Sequence, residues 1–124
     1  MHLQVNPQSS VPLYAQIVEQ LRNQILSGIL QPGIALPSVR EISEMIEVNS
    51  LTIQKAFKIL ENENFITIRR GVGAFISSQI TQFSDAEKDQ LIISTLNNTI
   101  AHARELGMTQ VRFIELVGER WGKS

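Results

Sequence analysis

Two helical patterns separated by only three residues constrain this chain more than any other feature. Across residues 38–63 it reads SVREISEMIEVNSLTIQKAFKILENE. Val39, Ile42 and Ile46 recur at helical spacing, and so do Ile53, Ala56, Phe57 and Leu60. Glu47-Val48-Asn49 interrupts the two rows. Ser38 and Glu41 have the S-x-x-E spacing of a capping box, and Asn49 or Ser50 is suited to cap the second helix. Two helices joined by so short a turn form the helix-turn-helix unit.

Residues 65–78 have the opposite period. In FITIRRGVGAFISS, Phe65, Thr67 and Arg69 alternate with Ile66 and Ile68, Gly71 and Gly73 break the chain, and residues 74–77 read as a returning strand. This is a β-hairpin with a basic, glycine-rich tip, a wing on the helix-turn-helix. Upstream, Leu13, Ile17, Leu21 and Ile25 mark a first helix, with Ser10 placed to cap it, Pro12 in its first turn and Gly28 as its stop. QPGIALP then supplies a turn and a short extended piece ending at Pro37. Asn64 suits a left-handed residue closing the second helix of the pair. Residues 1–9 are read either as a disordered arm or as an addition to the first helix.

Beyond SQITQF the composition changes. Ser84 and Glu87 repeat the capping-box spacing, Ile92, Leu96, Ile100, Ala103 and Leu106 form an apolar stripe, and Gly107 ends it. A last helix, capped by Thr109, carries Val111, Ile114, Val117 and Trp121 on one side. The expected fold class is mostly α with a small β-hairpin (α+β): a winged helix-turn-helix over residues 1–79 and a two-helix region over residues 80–124.

The 124 residues contain no cysteine, which leaves no disulfide or thiolate metal site. His2 and His102 lie far apart with no clustered carboxylates, so neither a metal nor a cofactor is expected. There is no cysteine nucleophile, no histidine–carboxylate cluster and no phosphate-cradling loop beyond Gly71-Val72-Gly73, so an enzyme is not expected. No apolar run reaches membrane-spanning length, and MHLQVNPQSS does not read as a signal peptide. The expected location is the cytoplasm. The net charge of −1 speaks against a nucleic-acid partner, but residues 1–83 balance six basic against six acidic side chains, so their arrangement decides.

In a helix-turn-helix the leading end of the second helix meets base edges in the major groove. Asn49, Ser50, Thr52 and Gln54 fall there and can donate and accept hydrogen bonds. The same side chains would serve to cap a helix whose first N–H groups lack partners. Arg40 sits badly for the helix dipole; a phosphate contact or an ion pair with Glu44 would each account for it.

Residues 36–76, LPSVREISEMIEVNSLTIQKAFKILENENFITIRRGVGAFI, resemble the winged helix-turn-helix of GntR-type bacterial transcription regulators, and PLYAQIVEQLRNQILSGILQPG resembles the family's first helix and turn. The L-P-S-x-R-E element, the T-I-x-x-A-x-x-x-L-E element and the G-x-G-x-F wing occur in the family's order. The short tail is similar to that of the YtrA-type subfamily, whose members end in a small helical dimerisation unit. The resemblance implies a transcription regulator, a repressor of its own operon, with ABC transporter genes among its targets. It implies DNA contacts from Ser38 and Arg40, from Asn49, Ser50, Leu51, Thr52, Gln54 and Lys55, and from Arg69, Arg70, Gly71 and Gly73 of the wing. It implies a homodimer through Ile92, Leu96, Ile100, Ala103, Leu106, Ile114, Val117 and Trp121, bound to a pseudo-palindromic double-stranded operator, with a small-molecule effector as a further expected partner.

The chain also departs from the family pattern. Glu47 and Asn64 stand where glycine is usual, Ser50 where arginine is frequent, and Leu51 where a polar residue is frequent. Leu51 is open to two expectations, a thymine methyl or the core. The rival to the regulator is a winged helix used only for protein–protein contact, which would bind no DNA.

Overall fold

The computed structural model describes residues 1–123, which divide into two units, Met1–Ser84 and residues 85–123. In the first, three helices, α1 (Leu13–Leu26), α2 (Val39–Ile46) and α3 (Ser50–Asn62), precede the antiparallel hairpin β1 (Ile66–Arg69) and β2 (Gly73–Ile76). α3 packs against α1, α2 and β1. Ile17, Leu21 and Ile25 from α1, Ile42 from α2, Ile53 and Leu60 from α3, and Ile76 from β2 are fully buried at the centre. The strands pair from Ile66 opposite Ile76 to Arg69 opposite Gly73.

The segment before α2 is bound to the hairpin. Ala35 bridges Phe75, Ile76 N–H donates to Ile34 O at 2.9 Å, and Leu36 N–H donates to Ala74 O at 2.8 Å. The approach to α2 is thus fixed to the strands that carry the wing. The start of α2 is closed by the capping box, with Glu41 N–H to Ser38 Oγ at 3.0 Å and Ser38 N–H to a Glu41 carboxylate oxygen at 3.1 Å.

Both α2 and α3 end in the same way. Glu47 (φ 54°) and Asn64 (φ 65°) adopt left-handed backbone, and the next residue, Val48 or Phe65, donates its N–H back to Ser43 O or Leu60 O. Val48 is buried and plugs the turn, and Asn49 Oδ1 then accepts from Leu51 N–H at 2.8 Å to open α3.

α1 differs from expectation at its start. Pro12 occupies the N-cap position, no side chain closes the helix, and Ser10 caps nothing; Ser9 Oγ accepts from Val11 N–H instead. A further difference is that the returning strand begins at Gly73, one residue early. The arm, residues 1–9, is neither disordered nor helical. Residues 1–6 run extended beside α1, where Gln16, Gln20 and Gln24 each treat one arm residue as a neighbouring strand would, and residues 6–9 close a turn with Ser9 N–H on Asn6 O at 3.1 Å. Asn6 N–H donates to Gln16 Oε1 (2.8 Å), Gln4 N–H to Gln20 Oε1 (2.9 Å) and His2 N–H to Gln24 Oε1 (3.0 Å). Each glutamine amide N–H donates in return to the same residue's carbonyl. A primary amide offers the donor and acceptor that a peptide does. Four residues of helix rise about 6 Å and two of strand about 6.6 Å, so the three rungs match. Leu3 is buried between them, and Met1 and Val5 are partly buried against the core.

The second unit is a helical pair, α4 (Asp85–Glu105) and α5 (Gln110–Trp121). α4 ends with Gly107 at φ 73° and Met108 N–H on Ala103 O, and Thr109 Oγ1 caps α5 through Arg112 N–H at 3.1 Å. Leu96, Ile100, Ala103, Phe113, Ile114 and Val117 line an apolar groove along the pair. On α5 the Arg112 guanidinium, hydrogen-bonded to Glu119, is held above its ordinary pKa.

Candidate nucleic-acid interface

α3 buries one side and presents the other. Ile53, Ala56, Phe57 and Leu60 face the core, while Leu51, Gln54, Lys55 and Lys58, at i, i+3, i+4 and i+7, form an exposed stripe. At the leading end, Asn49 and Ser50 are exposed and Thr52 is half-buried. Asn49 caps through Oδ1, which leaves its amide N–H groups unengaged among the described residues. Capping and base contact are therefore compatible in one side chain. Leu51 is 69% exposed, so the core alternative for it is excluded.

Cations stand on this stripe and on α2 and the hairpin, the elements next to α3. Lys55 Nζ lies 3.9 Å from the centre of the Tyr14 ring, which holds the ammonium by a cation–π contact without neutralising it. Arg69 lies over Phe75 at 5.0 Å, and Arg70 is exposed at the wing tip with no ion pair among the described residues. The tip turns through Gly71 (φ 74°), where a side chain would be strained, and closes with Val72 N–H on Arg69 O at 2.9 Å. Arg40 pairs with Glu44 at 3.2 Å, with side chains 89% and 69% exposed. So open a pair contributes little to stability and can exchange for a phosphate.

The acidic residues are largely occupied. Glu63 pairs with Arg22 through both oxygens (2.6 and 2.8 Å), Glu61 accepts Ile68 N–H, Glu41 serves the capping box and Glu44 meets Arg40. Among the unit's basic side chains Arg22 is spent in tying α1 to the end of α3; the rest lie on α2, the α3 stripe and the wing. The near-zero net charge conceals this division.

Two features of the candidate interface escape a reading by motif. Lys58 continues the stripe, and its i+4 spacing from Gln54 and i+3 from Lys55 is the signal that points to it. Val72, 71% exposed at the tip, is apolar where the motif shows only the two glycines. Of the residues expected at a dimer contact, Ala103 is buried within its own helical pair and Ile100 is half-buried. Ile92, Leu96, Leu106, Ile114, Val117 and Trp121 are exposed in the unit. Among the described residues no cluster of His, Asp or Glu could hold a metal ion, and no helix is long and apolar enough to cross a membrane.

Known proteins resemble this chain in sequence and in fold. Residues 13–76 match the family model of bacterial regulatory proteins, gntR family. The chain is 37% identical to the HTH-type transcriptional repressor YtrA of Bacillus subtilis (strain 168), covering 94% of this chain and 90% of that protein. The structure of YtrA from Sulfolobus acidocaldarius, a GntR-family transcription factor, superposes with a TM-score of 0.59 at 30% identity, covering 79% of this chain and 96% of that one. The AraR DNA-binding domain in complex with operator ORX1 superposes with a TM-score of 0.55 at 28% identity, covering 60% of this chain and 93% of that one.

Proposed function

Because this chain belongs to the GntR family of bacterial regulatory proteins and is a DNA-binding transcription regulator of YtrA type, we propose that it represses its own operon as a homodimer on a pseudo-palindromic operator. The observation that carries this reading is the exposed stripe of α3, capped by Asn49 and flanked by Arg40 on α2 and Arg69 and Arg70 on the wing. The leading turn of α3 enters the major groove, Gln54 and the amide N–H groups of Asn49 address base edges, and the arginines hold phosphates. Gly71 and Gly73 let the wing backbone approach the duplex closely. The two half-sites lie about 10 bp apart, or a multiple of that, because a two-fold dimer repeats its recognition helix once per turn of DNA.

The dimer forms through the exposed apolar residues of α4 and α5, and ABC transporter genes are among the targets. The protein works in the cytoplasm with its DNA. A small-molecule effector would act by altering the spacing of the two recognition helices. The rival, a winged helix that contacts only proteins, has the near-neutral charge in its favour and makes the opposite prediction for salt-dependent DNA binding.

Fluorescence anisotropy on the duplex upstream of the gene, against a scrambled duplex, tests the proposal. The expected result is preferential binding to the upstream duplex that weakens as salt rises, as released counterions require. Gln54→Ala should lose the preference by roughly tenfold, the worth of one good base contact. Arg70→Ala should weaken binding to both duplexes and flatten the salt slope by about one. A folded, dimeric protein that binds neither duplex at low salt would overturn the reading.

A further inference from the structure

Leu51 breaks the pattern of the helix that carries it. The α3 stripe is otherwise polar, and the helix turns Ile53 and Leu60 wholly inward, yet Leu51 stands 69% exposed at its leading turn. Its position is fixed, since its N–H is held by Asn49 Oδ1 at 2.8 Å. Among its neighbours on the same turn and the next, Ser50, Thr52 and Gln54 are uncharged. The nearest cation on the stripe, Lys55, is held over Tyr14.

Base edges in the major groove offer a branched aliphatic side chain one apolar partner, the C5-methyl of thymine. Guanine would place two acceptors against Leu51 and cytosine an amino donor, each buried without a partner. Gln54, one turn on along the stripe, has the amide that pairs with adenine N6 and N7. Resting on the DNA-binding reading, we propose that Leu51 is a specificity-determining residue that reads the methyl group of one thymine in each half-site. With Gln54 it makes the centre of each half-site an A·T step.

The test uses the full-length protein and the operator duplex, with each thymine replaced in turn by deoxyuridine, which removes the methyl group and nothing else. The expected result is one thymine per half-site whose replacement weakens binding about fourfold, the worth of one buried methyl group. In Leu51→Ala the intact operator should bind more weakly, and deoxyuridine at that position should have no further effect. Alanine is a good helix former and the side chain is exposed, so the variant should melt with the wild type. Selection from a random duplex pool should return thymine at that position with wild type and lose it with Leu51→Ala. If wild type binds its operator but no methyl deletion is felt, or if Leu51→Ala keeps full sensitivity, the role of Leu51 is overturned while DNA binding stands. If no duplex is bound, the DNA-binding reading fails and the role of Leu51 fails with it.

Discussion

Glu47 is held at φ 54°, ψ 48° by the turn it closes. Left-handed backbone costs a residue with a Cβ roughly 1–2 kcal/mol, and a carboxylate at a helix C-terminus also faces the negative end of the dipole. Glycine would remove both penalties but cost roughly 0.5–1 kcal/mol through the greater freedom of the unfolded chain. Glu47→Gly should therefore stabilise the protein by about 0.5–1 kcal/mol and raise the thermal midpoint by roughly 4 °C, read by circular dichroism. A lowered midpoint would mean that the glutamate side chain makes a stabilising contact. At this scale the sequence is a partial guide. It shows glutamate and asparagine where a tight helix end is needed, but φ is a property of the closed turn. Leu51 is ambiguous in the sequence for a related reason: in a first turn, one apolar residue does not define the phase of a helix, and only the burial of the later positions does.

Three helix starts are legible in the sequence, whereas that of α1, where Ser10 caps nothing, is not. Ser38 with Glu41, Asn49 and Thr109 each cap as their spacing indicates, because capping is a contact within one turn. The bridge from Ala35 to Phe75 is not legible, since a strand this short has no period and its pairing spans forty residues of sequence. The α4–α5 pair shows what local pattern cannot decide. Two helices cannot enclose each other's apolar stripes, so Ile114, Val117 and Trp121 remain 59%, 43% and 83% exposed within the unit. If a second copy covers them, Val117→Glu should weaken dimerisation by about a hundredfold, since an unpaired carboxylate in such a contact costs on the order of 3 kcal/mol. Sedimentation velocity would show monomers at concentrations where the wild type is dimeric. An unchanged distribution would remove this face from the dimer contact.

Across the whole molecule, a net charge of −1 is a poor index of partner, because it sums groups that the fold separates. Arg22, Glu61 and Glu63 are consumed in holding α1, α3 and β1, whereas the exposed cations of the first unit lie on α2, the α3 stripe and the wing. The arm is illegible for a similar reason of distance: glutamines every four residues on α1 and peptides every two on the arm carry no signal until laid side by side. Their pairing has a kinetic signature. Only alternate peptides of the arm face the glutamines, so amide exchange followed by NMR should trace a comb, slow at His2, Gln4 and Asn6 and faster at Leu3 and Val5. Replacing Gln20 with alanine should release the tooth at Gln4 first. A helix side would thereby impose on its neighbour the two-residue rhythm of exchange that belongs to the edge of a sheet.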